Sequence, residues 1–257
     1  SISLGLFLGA PTVALKEDSD YSRDYVDETT PLVFNLDIPA ADVIYKYNTT
    51  ATEKAVNIDA NFDLTYKGYG VENLDDLYTI SFEEEESETN FYIEQETYFG
   101  ATINDKSTIT VTLRTDLSYD LSVDHSSGKY EFQGVENLTL DYLRVYTSSG
   151  SVNVSLAPGT VIKEGMNLDT SSGNIYLTTN DALIEDAVRL DVSSGNIDTE
   201  LTNTSISGLV HYDTSSGRVN MKATTVSFQE GIGVDVNYPR LLMTGFIGRI
   251  DLRQLNM

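Results

Sequence analysis

The sequence predicts an all-β protein: an N-terminal strand arm, an antiparallel β-sandwich, then a β-solenoid of about 22-residue coils. The first observation is the return of Ser-Ser-Gly at Ser126, Ser148, Ser171, Ser193 and Ser215, with offsets of 22, 23, 22 and 22 residues. The second is period-two apolar alternation on both sides of each tripeptide, the signature of strands flanking a turn. The third is a set of shorter alternating runs upstream, bounded by turn residues and without helical period.

Residues 1–15 form the arm. Ile2, Leu4, Leu6 and Leu8 alternate with Ser3, Gly5 and Phe7 until Ala10-Pro11 stops the run. The stretch is too short to cross a bilayer as a helix, which takes about 20 apolar residues. A free strand with one aliphatic face aggregates, so it must be paired. Three pairings are open: the first strand of its own domain, the remnant of a membrane anchor or removed leader, or a donor strand completing a neighbouring copy. The donor reading makes Ile2, Leu4, Leu6 and Leu8 the polymerisation arm of a head-to-tail homopolymer. The chain starts without methionine, which fits a removed leader or a fragment. Residues 16–30, polar, acidic and aperiodic, read as the linker that lets the arm leave.

Residues 31–115 read as the sandwich. Leu32, Phe34, Leu36 and Ile38 alternate, as do Val56, Ile58, Ala60, Phe62, Leu64 and Tyr66, and further runs cover 77–82, 91–99 and 108–113. Pro39 and Lys67-Gly68-Tyr69-Gly70 punctuate them. Tyr92, Tyr98 and Phe99 read as core and cross-strand pairs in preference to a carbohydrate platform.

Residues 116–257 carry the solenoid and its C-terminal cap. Five residues before the first serine stand Leu121, Leu143, Met166, Val188, Val210 and Ile232; three before, Val123, Val145, Leu168, Leu190, Tyr212 and Val234. After the glycine come Tyr130, Val152, Ile175, Ile197, Val219 and Leu241. Asn237-Tyr238-Pro239 marks the decayed last corner. A coil this short cannot bury its apolar side alone, so coils stack and each column becomes a ladder with rungs about 4.8 Å apart. In these repeated Ser-Ser-Gly-x-Ile/Val turns, residues 117–257 resemble the "putative adhesin" family of β-solenoid domains of bacterial and archaeal surfaces. That resemblance implies architecture and a surface location, and no chemistry.

Charge narrows the partners. Lys+Arg number 16 against Asp+Glu 40, a net charge of -24 and a pI near 4.1, which excludes nucleic acid. The densest acidic run is Glu83 to Glu86 plus Glu88, a solvated face or a cation site. Without cysteine there are no disulfides, haem attachments or thiolate zinc sites. Sequons at Asn48, Asn137, Asn153 and Asn203 point to N-glycans on an extracellular or cell-surface chain. Asn153 lies between inward Val152 and Val154 and so points outward.

Catalysis has little to work with. His125 and His211 occupy different columns, and no serine has a base at motif spacing. One column is suggestive: Asp124, Tyr146, Asp169, Asp191, Asp213 and Asp235, two residues before the first serine. Stacked carboxylates repel. Either each accepts from the following turn, with Arg189 nearby, or calcium bridges Asp169, Asp191 and Asp213. No other cofactor is expected. A polysaccharide-active β-helix enzyme would break the repeat at one place, and this column does not. The sequence therefore predicts a non-enzymatic extracellular filament or lattice subunit, with a membrane-tethered monomeric adhesin as the alternative.

Overall fold

The computed structural model describes residues 10–24, 31–48, 54–96, 100–236, 239–244, 248 and 250–253. The N-terminal third supplies β1 (Thr12–Asp24), β2 (Leu32–Ala40), β3 (Asp42–Asn48), β4 (Lys54–Gly68), β5 (Tyr78–Glu84), β6 (Glu88–Gln95), β7 (Gly100–Asp105) and β8 (Thr108–Arg114). The coils follow: β9 (Tyr119–Ser127) and β10 (Tyr130–Gln133), then β11 (Thr139–Ser149), β12 (Val152–Leu156) and β13 (Val161–Ile162). The next coil is β14 (Met166–Ser172), β15 (Ile175–Asn180) and β16 (Leu183–Ile184). In β17 (Val188–Thr202) and β19 (Val210–Thr224) the strand runs straight through the Ser-Ser-Gly corner, with short β18 (Ser205–Ile206) and β20 (Ser227–Phe228) after them. The last rungs are β21 (Ile232–Val236), β22 (Pro239–Thr244) and β23 (Ile250–Arg253).

Each coil has two long faces and one short one. The first face stacks β2, β9, β11, β14, β17, β19, β21 and β23 in parallel. The second stacks β3, β10, β12, β15, β17, β19 and β22. The short face stacks β13, β16, β18 and β20 on the start of β11. The expected inward columns are buried: Leu121, Leu143, Met166, Val188 and Val210 at one level, Tyr130, Val152, Ile175, Ile197 and Val219 at another. One continuous apolar cluster runs from Leu15 to Val234.

The 23-residue offset has a local cause. Leu140 and Leu143 are three apart, whereas their partners Ile162 and Met166 are four apart, because the corner in β11 lacks one residue. The last corner is shorter by two, so β22 pairs Met221 with Leu241 and Ala223 with Met243. This corrects the sequence register, which aligned Val219 with Leu241.

The glycines of the corner answer to crowding. A Cβ on Gly173 would lie 1.7 Å from the Gly150 carbonyl oxygen, and one on Gly217 would lie 1.5 Å from that of Gly195. Gly128 also takes φ 125°, which suits glycine alone.

Two sequence boundaries are corrected. The linker 16–30 is not one: residues 16–24 belong to β1, which pairs antiparallel with β4 from Thr12↔Lys67 to Asp24↔Lys54. Its inward positions include Leu15, Tyr21 and Arg23, so a strand periodicity is present but polar. Nor is 31–115 a separate antiparallel sandwich. β2 and β3 are the first coil of the stack, with Pro39-Ala40-Ala41 in the place of Ser126-Ser127-Gly128. The chain then leaves the stack, lays β6 on β2 and β8 on β3 in parallel, and returns on the other side of β2 as β9. Antiparallel β5 covers β6, and antiparallel β4 and β1 cover β8. These strands form a cap continuous with the solenoid. Aromatic pairs fill its core, among them Tyr21 with Phe91 at 5.0 Å and Tyr45 with Tyr130 at 5.6 Å between ring centroids. Of the arm, Thr12 to Leu15 lie in β1; Ile2, Leu4, Leu6 and Leu8 are outside the described residues, as are Tyr98 and Phe99.

Candidate functional site

The aspartate column is a physical ladder on the outer side of the first face. Register places Asp37, Asp124, Tyr146, Asp169, Asp191, Asp213 and Asp235 on successive rungs. Asp37 escaped the sequence reading because its corner is Pro-Ala-Ala, although it stands two residues before Pro39, the same offset as the others. Tyr92 and Arg253 extend the column at its two ends.

Crowded carboxylates on adjacent rungs shift one another. Burial, then the Asp191 charge, raises the pKa of both Asp169 and Asp213. Burial, then Asp124, does the same for Asp37. The offset comes from the column two residues earlier. There Arg189 Nη2 donates to Asp191 Oδ2 at 3.0 Å, and His211 Nε2 lies 3.7 Å from Asp235. The charges of Arg189 and Arg144 pull Asp169 back down. Among the described residues, Arg189 is thus a side-chain donor to the ladder. Asp169, Asp191 and Asp213 do come together in one line, but among the described residues no group of three or more Asp, Glu, His or Cys side chains is arranged to hold an ion.

The histidines separate as their columns require. His125 is fully buried in the core column otherwise held by Thr147, Thr170, Val192 and Thr214, and burial lowers its pKa, so it is neutral and sealed from substrate. His211 faces outward beside the ladder.

The sequons fall at two kinds of place. Asn137 and Asn203 are exposed at a second corner with φ 60° and 48°, in a left-handed column shared with Gly159, Asp181 and Thr225 at intervals of 22 residues. Short polar side chains tolerate that conformation, which accounts for Asn and Asp there. Asn153 is half-buried on β12, and Asn48 is half-buried at the end of β3.

Among the described residues, two clefts interrupt the outer surface. One of about 430 Å3 lies on the second face, where Asn220 Nδ2 donates to Asp198 at 2.7 Å, Lys222 pairs with Glu200, and Tyr176 is exposed. Its polar groups satisfy each other. The other lies where the cap meets the first corner. It has a lobe of about 550 Å3 bordered by Pro39, Tyr78 and Thr102 and one of about 290 Å3 bordered by Asp42, Ser107 and Gly128. Ala40, Asp105 and Ser127 line both.

The profile of the Toastrack DUF4097 family matches residues 47–230, well over half of the chain. The protein belongs to the Toastrack DUF4097 family. The Toastrack match opens in β3, takes in the cap and closes after β20, so it spans both the non-repeating strands and the regular coils. No curated protein matches the chain. Among solved structures, a putative cell adhesion protein of Clostridium sporogenes ATCC 15579 aligns at 11% identity over 93% of this chain and 99% of its own, TM-score 0.36. A putative adhesin of Parabacteroides distasonis ATCC 8503 aligns at 8% identity over 95% and 100%, TM-score 0.32. One of Parabacteroides merdae ATCC 43184 aligns at 11% over 96% and 100%, TM-score 0.25.

Proposed function

We propose that this Toastrack chain is an extracellular, non-catalytic β-solenoid of the cell surface, an adhesin-like scaffold that presents its outer ladders to partners. The carrying observation is the sameness of the outward columns. Aspartate repeats on rung after rung with cations set beside it, whereas a catalytic centre needs distinct acid, base and nucleophile roles at one place. Exposed Asn137 and Asn203, both in sequons, support the location and would carry the N-glycans. Labelling intact source cells with a membrane-impermeant amine reagent tests it: modification of exposed Lys106 and Lys222 is expected, and labelling only after lysis would sink the surface reading.

The filament form of the proposal adds that Ile2, Leu4, Leu6 and Leu8 insert into another copy, while the tethered form makes the same residues an anchor remnant. Strand alternation favours insertion. The cap is a poor acceptor, because its edge strands β1 and β5 carry Glu17, Asp18, Asp20, Glu83 and Glu84, which repel an incoming strand. Sedimentation of the full chain and of a chain lacking residues 1–9 separates the two forms. Polymers that disappear on truncation support insertion; a monomer in both cases supports tethering.

A further inference from the structure

The cleft of about 430 Å3 on the second face differs from the aspartate ladder in that its residues change from rung to rung. Two outward columns border it across β15, β17 and β19: Tyr176, Asp198 and Asn220 in one, Thr178, Glu200 and Lys222 in the other. Between them Leu177, Thr199 and Met221 turn their side chains into the core, so strand backbone forms the floor of a groove along the solenoid axis. The walls are open to solvent: Tyr176 is 41% exposed, and the Glu200 and Lys222 side chains are 52% and 55% exposed. Pairing of Asn220 with Asp198 and of Lys222 with Glu200 holds these side chains in place while using one oxygen of each carboxylate. Among the described residues Asp198 Oδ2 and Glu200 Oε2 make no hydrogen bond, and the Lys222 ammonium retains further donors.

We propose that this groove binds a linear, neutral glycan lying along the solenoid axis, with a pyranose ring packed on Tyr176 and chain hydroxyls bonded to Asp198, Glu200 and Lys222. An exposed aromatic ring beside preset acceptors and donors suits a ligand that is apolar across its face and polar at its edge. Rungs about 4.8 Å apart give the three-rung groove about 10 Å of length, room for about two linked pyranose rings. An anionic ligand is disfavoured by the two carboxylates in the walls. A divalent cation is disfavoured because no third carboxylate or imidazole joins them among the described residues. A peptide strand is disfavoured because β15, β17 and β19 are each paired on both sides here, which leaves no backbone edge to extend. Such a glycan is a partner for the scaffold proposed above and rests on that reading. Binding by the purified chain and labelling on intact cells are separate measurements, so either can fail alone.

Titration of the full chain with the extended β-1,4-linked probes cellotetraose, chitotetraose and mannotetraose, followed by amide NMR, tests it. At least one is expected to bind at least about tenfold tighter than its own monosaccharide and to shift the amides of residues 176–178, 198–200 and 220–222. Tyr176→Ala removes an exposed ring and is expected to weaken binding at least about tenfold while the melting temperature holds. Tyr69→Ala, which removes an exposed tyrosine of the cap, is expected to leave binding unmoved. The assignment is wrong if none of the three probes binds, if the tetramer gains nothing over its monosaccharide, if the shifts map elsewhere, or if binding survives Tyr176→Ala.

Discussion

Gly173 is held to glycine by the Gly150 carbonyl oxygen of the neighbouring coil, 1.7 Å from where a Cβ would stand. The positive φ that a Ser-Ser-Gly turn suggests holds at Gly128, Gly150 and Gly195, whereas Gly173 is outside that set. Sequence showed that the corner needs glycine; only the stacked backbone shows that crowding is the common reason. Gly173→Ala is expected to destabilise by about 1–3 kcal/mol, read by chemical denaturation, and Gly134→Ala by less, since its nearest atom would be 3.1 Å away. Asp213 makes the second prediction. Its folded pKa lies above the reference 3.8, so its contribution to stability is complete below 3.8 and is lost as pH rises through the raised value. Asp213→Asn should therefore melt higher than the parent at pH 7, with the advantage shrinking as the pH approaches 4. His125 runs the other way in both proteins: its folded pKa lies below 6.5, so stability held above 6.5 declines as pH falls through the lowered value. If calcium bridges the ladder, chelator will lower the parent's melting temperature and leave Asp191→Asn unmoved.

At the scale of the element, β1 shows why an acidic run passed for a linker. Its inward positions further along hold Ser19, Tyr21 and Arg23, while Glu17 is exposed, so the alternation is carried by burial and not by hydrophobicity. Arg23, 4% exposed, explains how the polar strand is held. Its Nη1 donates to the Glu88 carbonyl at 2.6 Å and to Thr89 Oγ1 at 2.9 Å, and Nη2 to the Glu86 carbonyl at 2.7 Å. One guanidinium thus ties β1 to the turn between β5 and β6. Arg23→Ala is expected to cost about 3–5 kcal/mol and to raise amide exchange across β1 and residues 86–89 together. Exchange confined to β1 would mean that the clamp is not shared. The outward acids of β1 serve a different end, discouraging pairing at an exposed edge.

For the whole molecule, the regular coils were legible because each repeats the same columns, and the cap was not, because its partners are distant in sequence. Leu32 lies opposite Tyr119, and the strands β4 to β8 between Asn48 and Tyr119 are laid on the far side of the first coil before the chain returns. The clue was present in the columns: Phe34, Leu36, Asp37, Ile38, Val43 and Tyr45 match Leu121, Val123, Asp124, His125, Tyr130 and Phe132 position for position. Without the tripeptide, antiparallel pairing was the simpler reading. The cap cleft was illegible for the same reason, since Asp105 and Ser127 meet only through that insertion. Cysteine crosslinking tests this single interleaved stack most directly, because the chain has no cysteine of its own. Asp37→Cys with Asp124→Cys puts thiols on exposed positions of adjacent rungs, and Asp37→Cys with Asp169→Cys puts them three rungs apart, about 14 Å. A short bifunctional thiol reagent is expected to close the first pair within the monomer and leave the second open; closure of neither, or of both equally, would contradict a solenoid that begins at Leu32.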